Sequence, residues 1–120
     1  MASRSLLLVF RRAPYGHSLA RAGYDIALAA AAFEQPVSLL FMDDGVWQLL
    51  PGQEPGPIGA KSIERTQDSL PLYDIELLHA EAQSLHQRGL HPDDLRPGVH
   101  CLDADELPGF IAGFDQVVNL

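Results

Sequence analysis

Two short apolar runs on either side of an alanine-rich stretch constrain the fold more than any other part of the chain. Residues 5–10 and 37–42 are continuous apolar runs, as in strands covered on both faces. Between them, residues 19–33 read as a helix: Leu19, Gly23, Ile26, Ala27 and Ala30 follow helical spacing. The many alanines suggest close packing on a sheet. Ser18 is placed to cap this helix, because its hydroxyl can accept a free backbone N–H of the first turn. Pro14 and Gly16 break the loop before it. Strand, helix, strand is a βαβ unit, normally parallel and right-handed.

The rest of the chain continues the alternation. Residues 52–59 are a Pro/Gly-rich loop, and residues 60–70 a helix bounded by Pro71. Residues 72–90 are ambiguous. Leu77, Leu78, Glu81, Leu85 and Arg88 would suit one long helix ending at Gly89. A sheet of this size needs a third central strand, so we read a strand over 75–79 and a helix over 81–88. Residues 91–98 form a loop and 99–102 a short strand. Asp103 or Asp105 can cap a helix running to Gly113, with Pro108 in its first turn, where a missing N–H matters little. Residues 116–120 are the last strand. Residues 1–120 thus make a single α/β domain, a doubly wound, flavodoxin-like three-layer fold. The expectation is a five-stranded parallel sheet of order 2-1-3-4-5.

Charge narrows the function. The formal net charge of −8 disfavours direct contact with a nucleic-acid backbone, which needs clustered Lys and Arg; only Arg11 and Arg12 are adjacent. One cysteine, Cys101, excludes an internal disulfide and a Cys-rich metal site, and fits a reducing cytoplasm. No apolar run approaches the roughly 20 residues of a membrane span. Residues 6–10 read as a strand and not as a signal peptide, because Arg11-Arg12 cut the run short.

In an open α/β sheet, sites lie beyond the carboxyl ends of the strands. The candidates there are residues 13–18, Asp43-Asp44, residues 79–81 and Leu102-Asp103. The first loop lacks both glycine-rich nucleotide patterns. Asp43-Asp44 reads better as a helix cap than as a metal site. His79 has no obvious nucleophile near it, and the histidines lack metal-ligand spacing. His100 is adjacent to Cys101, but neighbours on a strand point to opposite faces, so it cannot readily activate the thiol. No catalytic residue, cofactor or metal is expected.

The distinctive stretch is Asp43 to Pro55, where Val46, Trp47, Leu49 and Leu50 precede a Pro51-Gly52 break. A turn rarely carries so much apolar surface. It packs either under its own loop or against another chain, and interface cores favour Trp and disfavour charge. Both options stay open from the residues alone.

Five strings then resemble a known family: Ala13-Pro14-Tyr15-Gly16; Arg21-x-Gly23-x-Asp25; Asp44-Gly45-Val46-Trp47-Gln48-Leu49-Leu50-Pro51-Gly52-Gln53; Leu72-Tyr73-Asp74-Ile75-Glu76; and Ser84-Leu85-x-x-Arg88-Gly89-Leu90. They resemble the DsrE/DsrF-like sulfur-relay family, nearest its TusC type of subunit. The resemblance is weakest from Arg96 onward. It implies a flavodoxin-like fold, with strand then helix after Ile75. It also implies a heterohexamer with TusB-like and TusD-like chains, passing persulfide sulfur from a TusA-like donor to a TusE-like acceptor, for 2-thiolation of wobble uridine in tRNA. In that family the sulfur-carrying cysteine belongs to the TusD-like subunit, near the end of the third strand. Here Glu81 stands at about that place, and a carboxylate cannot carry a persulfide. The expected role is a non-catalytic subunit that touches neither tRNA nor membrane. Trp47, Leu49 and Leu50 would be the interface anchors, Val46 would pack with them, and Asp44, Gly45, Pro51 and Gly52 would shape the loop. The alternatives are a stand-alone sulfurtransferase using Cys101, or a DsrF-type subunit of a dissimilatory sulfur-oxidation complex.

Overall fold

The computed structural model describes residues 4–13, 19–51 and 63–120. Strands β1 (Leu6–Phe10), β2 (Val37–Phe41), β3 (Leu78–Glu81), β4 (Val99–Leu102) and β5 (Gln116–Asn119) form one parallel sheet. The α-helices are α1 (Leu19–Ala32), α2 (Ile63–Ser69), α3 (Ala82–Gln87) and α4 (Leu107–Ala112). Short 3-10 segments cover Asp43–Leu49, Leu70–Tyr73 and Pro92–Asp94. The α/β class and the five parallel strands match the expectation.

The strand order does not. It is β4-β3-β2-β1-β5, not 2-1-3-4-5. The chain steps in one direction from β1 to β4, and reverses only in the last connection, which places β5 beside β1. Two backbone bonds seat β5 there: Gln116 N–H donates to Ser5 C=O at 3.0 Å and Leu120 N–H to Val9 C=O at 3.0 Å. The physical reason lies in which face each helix covers. Alternate residues of a strand face opposite sides. Leu6, Leu8, Phe10, Leu39, Phe41, Leu78 and Ala80 join Tyr24 and Ala27 of α1, Ile63 of α2 and Leu85 of α3 in one large core cluster. Leu7, Val9, Leu40, Met42 and Leu102 form a smaller cluster under Leu107, Phe110 and Ile111 of α4. Three helices on one face require three crossovers of the same sense, and only α4 crosses on the other.

Local boundaries differ in instructive ways. Strand β3 begins at Leu78, three residues after the expected start. Ile75 is buried, but its N–H donates to Leu70 C=O at 3.2 Å, so it closes the preceding 3-10 segment and does not extend the strand. In α1, Tyr24 is buried and Ile26 is exposed, so the ring and not the β-branched residue anchors the helix. Gly23 allows close approach: a Cβ there would lie 2.6 Å from Phe10 Cε2 and 2.4 Å from Leu120 Cδ1. The expected cap Ser18 lies outside the described residues. Neither Asp103 nor Asp105 is the N-cap of α4; Glu106 is, and its carboxylate accepts Asp103 N–H at 3.1 Å. Pro108 does sit in the first turn. Among the described residues, no helix is long and apolar enough to cross a membrane.

Candidate functional site

The carboxyl end of β2 leads directly into the distinctive stretch. Met42 N–H donates to Phe10 C=O at 3.0 Å, and Gly45 N–H to Met42 C=O at 2.8 Å. The chain therefore folds back over the end of β1. A side chain at position 45 is excluded there, since a Cβ would lie 1.9 Å from the Phe10 carbonyl oxygen.

Residues 43–49 form a 3-10 helix, in which positions three apart eclipse one another. That spacing sorts the side chains. Val46 and Leu49 are one pair, and both are wholly buried in the larger core cluster. Gly45 and Gln48 are a second pair, also buried. Asp44, Trp47 and Leu50 make the third row, with Asp44 exposed and Trp47 and Leu50 half-buried. Pro51 follows, exposed. Gly52 lies outside the described residues, as does most of the first loop, 14–18. Of the apolar residues expected at an interface, Val46 and Leu49 are thus buried in this chain's own core, and Leu50 packs against that core while staying partly exposed. Trp47 and Leu50 remain within reach of a second chain.

A buried polar network supports this row from below. Tyr24 O–H donates to Gln48 Oε1 at 2.7 Å. Gln67 Nε2 donates to Tyr24 Oη and to Gln48 C=O, each at 2.9 Å. Gln48 Nε2 donates to Arg12 C=O at 2.9 Å. Arg96 Nη1 donates to Gln67 Oε1 at 2.9 Å, Nη2 to Asp68 at 2.6 Å, and its backbone N–H to Leu49 C=O at 2.9 Å. One segment is thereby tied to α1, α2 and the loop before β4. Reading residue by residue missed Tyr24, Gln67 and Arg96. The available signal was Gln48, a lone amide inside an apolar run. A buried amide must find partners elsewhere in the chain.

Two acid–base pairs and a carboxylate–hydroxyl contact lie at the same end of the sheet. Arg11 bonds Asp43 at 2.9 Å and Asn119 at 3.3 Å. Arg88 bonds Asp44 through Nη2 at 3.0 Å and Nε at 3.2 Å. Glu81 ends β3, and its carboxylate accepts the Ser84 hydroxyl. Ser84 Oγ in turn accepts Asp43 N–H at 2.8 Å. Asp43 holds a φ of 50°, a left-handed backbone that Asp tolerates better than most residues. The end of the third strand therefore presents a tethered carboxylate.

The thiol is elsewhere. Cys101, on β4, is half-buried and packs against the larger core cluster. Burial, and secondarily the nearby Asp103 charge, push its pKa up, which lowers the thiolate fraction and the reactivity. His100 is paired in register with His79 and faces the other side of the sheet, as expected of strand neighbours. Its ring lies 6.0 Å from that of His79. His79 is buried against Phe110, with ring centroids 4.5 Å apart, and its Nδ1 lies 3.3 Å from Leu39 C=O. Burial, the dominant cause, pulls its pKa down against the raising effect of the Leu39 bond, and the His100 charge adds a smaller lowering. Among the described residues, no three His, Cys, Asp or Glu side chains gather as a metal-binding group.

The model of the DsrE/DsrF-like family matches residues 4–120. A TusC homolog from Pseudomonas aeruginosa is 40% identical over 118 residues, covering 98% of this chain and 99% of that one. A TusC homolog from Vibrio vulnificus is 40% identical over 114 residues, covering 95% and 97%. Among solved structures, the ychN protein from E. coli superposes with a TM-score of 0.84 at 24% identity, covering 98% of this chain and 99% of that one. MTH1491 from Methanobacterium thermoautotrophicum gives 0.69 at 14%, covering 99% and 100%. The two structures show the shared fold.

Proposed function

The chain belongs to the DsrE/DsrF-like family, and from that premise we propose that it is a non-catalytic subunit of a TusBCD-like sulfur-relay complex. The complex passes persulfide sulfur through its TusD-like chain to a TusE-like acceptor, toward 2-thiolation of wobble uridine in tRNA. The observation that carries this reading is the end-to-end similarity to TusC homologs. The site geometry supports the division of labour. A persulfide carrier needs an accessible thiol of low pKa. At the end of β3 this chain offers Glu81, tied to Ser84, and its one cysteine packs on the core with a raised pKa.

The row Asp44, Trp47 and Leu50, with Pro51, is the surface by which this subunit holds its partners. It is a half-buried aromatic and aliphatic pair on a backbone fixed by internal hydrogen bonds, the kind of rigid apolar anchor that dominates interfaces. Val46 and Leu49 hold that row from inside. The test is co-expression with TusB-like and TusD-like chains, followed by native mass measurement. A complex with two copies of each chain is expected. A stable monomer or homo-oligomer in the presence of those partners would overturn the reading. Trp47→Ala should weaken assembly by on the order of 2 kcal/mol or more, measured by titrating the labelled chain against its partners. Wild-type affinity would remove Trp47 from the interface.

A further inference from the structure

Phe33 and Leu72 are the most exposed large apolar side chains among the described residues, at 87% and 85%. Both belong to the amino end of the sheet, opposite the site described above. Their sequence neighbours Glu34 and Tyr73 line a cleft of about 260 Å³ that opens beside the start of β2. Pockets for drug-sized molecules span roughly 300–1,000 Å³, so this cleft suits one side chain better than a free ligand. Its inner wall is apolar: Ile75 is buried, and Ala31 and Val37 are half-buried. Its outer wall holds Glu34, Asp74 and the exposed Tyr73. Among the described residues no base lines it, and neither Glu34 nor Asp74 joins an ion pair, whereas Asp43, Asp44 and Asp68 each do. Exposed carboxylates need no partner in water, so the acids alone would mean nothing. Glu34 and Asp74 share one cleft with the apolar Ala31, Val37 and Ile75, and the exposed Phe33 and Leu72 are sequence neighbours of its lining; together these define what fits.

We propose that this cleft docks one arginine side chain of a partner protein, set between apolar residues that cover Phe33 and Leu72. The methylene stem would lie along Ala31, Val37 and Ile75, as long cationic side chains do on apolar surface. The guanidinium would reach Glu34 and Asp74. Tyr73 offers it a ring face, a contact that arginine makes more readily than lysine because its planar head is weakly hydrated. The chain's net charge of −8 favours the approach of such a partner. The proposal does not depend on the assembly row at the other end of the sheet.

The capped tripeptide Leu-Arg-Leu is the probe, titrated into the full chain while backbone amide resonances are followed. Saturable shifts should be confined to the amides of Glu34, Gln35, Val37, Asp74 and Ile75. Replacing arginine by citrulline keeps the shape and removes the charge, and should weaken binding about tenfold or more, the scale of losing a charge-assisted hydrogen bond. Glu34→Gln with Asp74→Asn should do the same. Both positions have positive φ, 62° and 66°, and the amides keep the shape of the acids, so the thermal midpoint checks that the fold is intact. Phe33→Ser with Leu72→Ser should weaken binding several-fold without abolishing the charge dependence. Equal binding of the citrulline peptide, unchanged binding to the double amide variant, shifts spread across the acidic surface, or no binding would each overturn the proposal.

Discussion

The two ends of the sheet are built from the same residue types arranged in opposite ways. At the carboxyl end, Val46 and Leu49 point into the core, and Asp43 and Asp44 are paired with Arg11 and Arg88. At the amino end, Phe33 and Leu72 point outward, and Glu34 and Asp74 have no ion-pair partner among the described residues. The first end buries Val46 and Leu49 and leaves only the Asp44, Trp47 and Leu50 row, with Pro51, partly or fully exposed. The second leaves Phe33 and Leu72 exposed beside the buried Leu70 and Ile75. Apolar content therefore says nothing about use until the local helix type is known.

The sharpest way to break this contrast is truncation. Leu49→Ala should destabilise the fold by about 3–5 kcal/mol, as expected for a fully buried leucine. Leu72→Ala should stay within about 0.5 kcal/mol, as for other surface changes. Denaturant unfolding of both variants checks this, and similar costs would erase the distinction.

The buried network comes next. Gln67→Leu leaves Gln48 C=O and Arg96 Nη1 without this partner, and each buried polar group so stranded costs about 1–3 kcal/mol. The same variant should shift the emission of Trp47, the chain's one tryptophan, because Gln67 holds the adjacent Gln48. Loss of stability with unchanged emission would mean that the network does not position the row.

The third effect is a pH slope from the smaller core cluster. The folded-state pKa of His79 lies below its ordinary value of about 6.5. As pH falls through that ordinary value, the unfolded chain takes a proton that the folded chain refuses. Stability is therefore lost on acidification, and the loss levels off below the folded pKa. His79→Gln should flatten this slope in unfolding measurements across that range. An unchanged slope would assign it to other groups.

The smallest effect is at the surface ion pair. Asp44→Asn should cost about 0.2–1 kcal/mol, because the Asp44 carboxylate is largely solvated. A larger loss would show that Arg88 orders the row more firmly than an exposed pair can.

Much of this fold was legible. The two apolar runs and the alanine-rich helix gave the βαβ unit, and breakers marked most of the connections. The strand order was not legible, because β1 and β2 are neighbours in both arrangements. What decides between them is which face α2, α3 and α4 cover, a tertiary fact that short apolar patterns such as Ile63 or Leu85 do not carry. Ile75 misled for a related reason: it is buried like a strand residue but closes a 3-10 turn. At the candidate site, Trp47 and its neighbours stood out at once. Their division into inward and outward rows depends on threefold spacing, and an α-helical reading would have mixed Leu49 with Leu50. Gln67 and Arg96 gave no signal, since a surface amide and a buried one look alike in sequence.

The central claim is that this subunit positions sulfur chemistry without carrying sulfur. The direct test is to load the assembled complex with a persulfide donor and measure the intact mass of every chain. The account predicts that the TusD-like chain gains sulfur, that this chain's mass is unchanged, and that Cys101→Ser leaves delivery to the TusE-like acceptor at the wild-type rate. Sulfur found on this chain, and lost in Cys101→Ser, would contradict it.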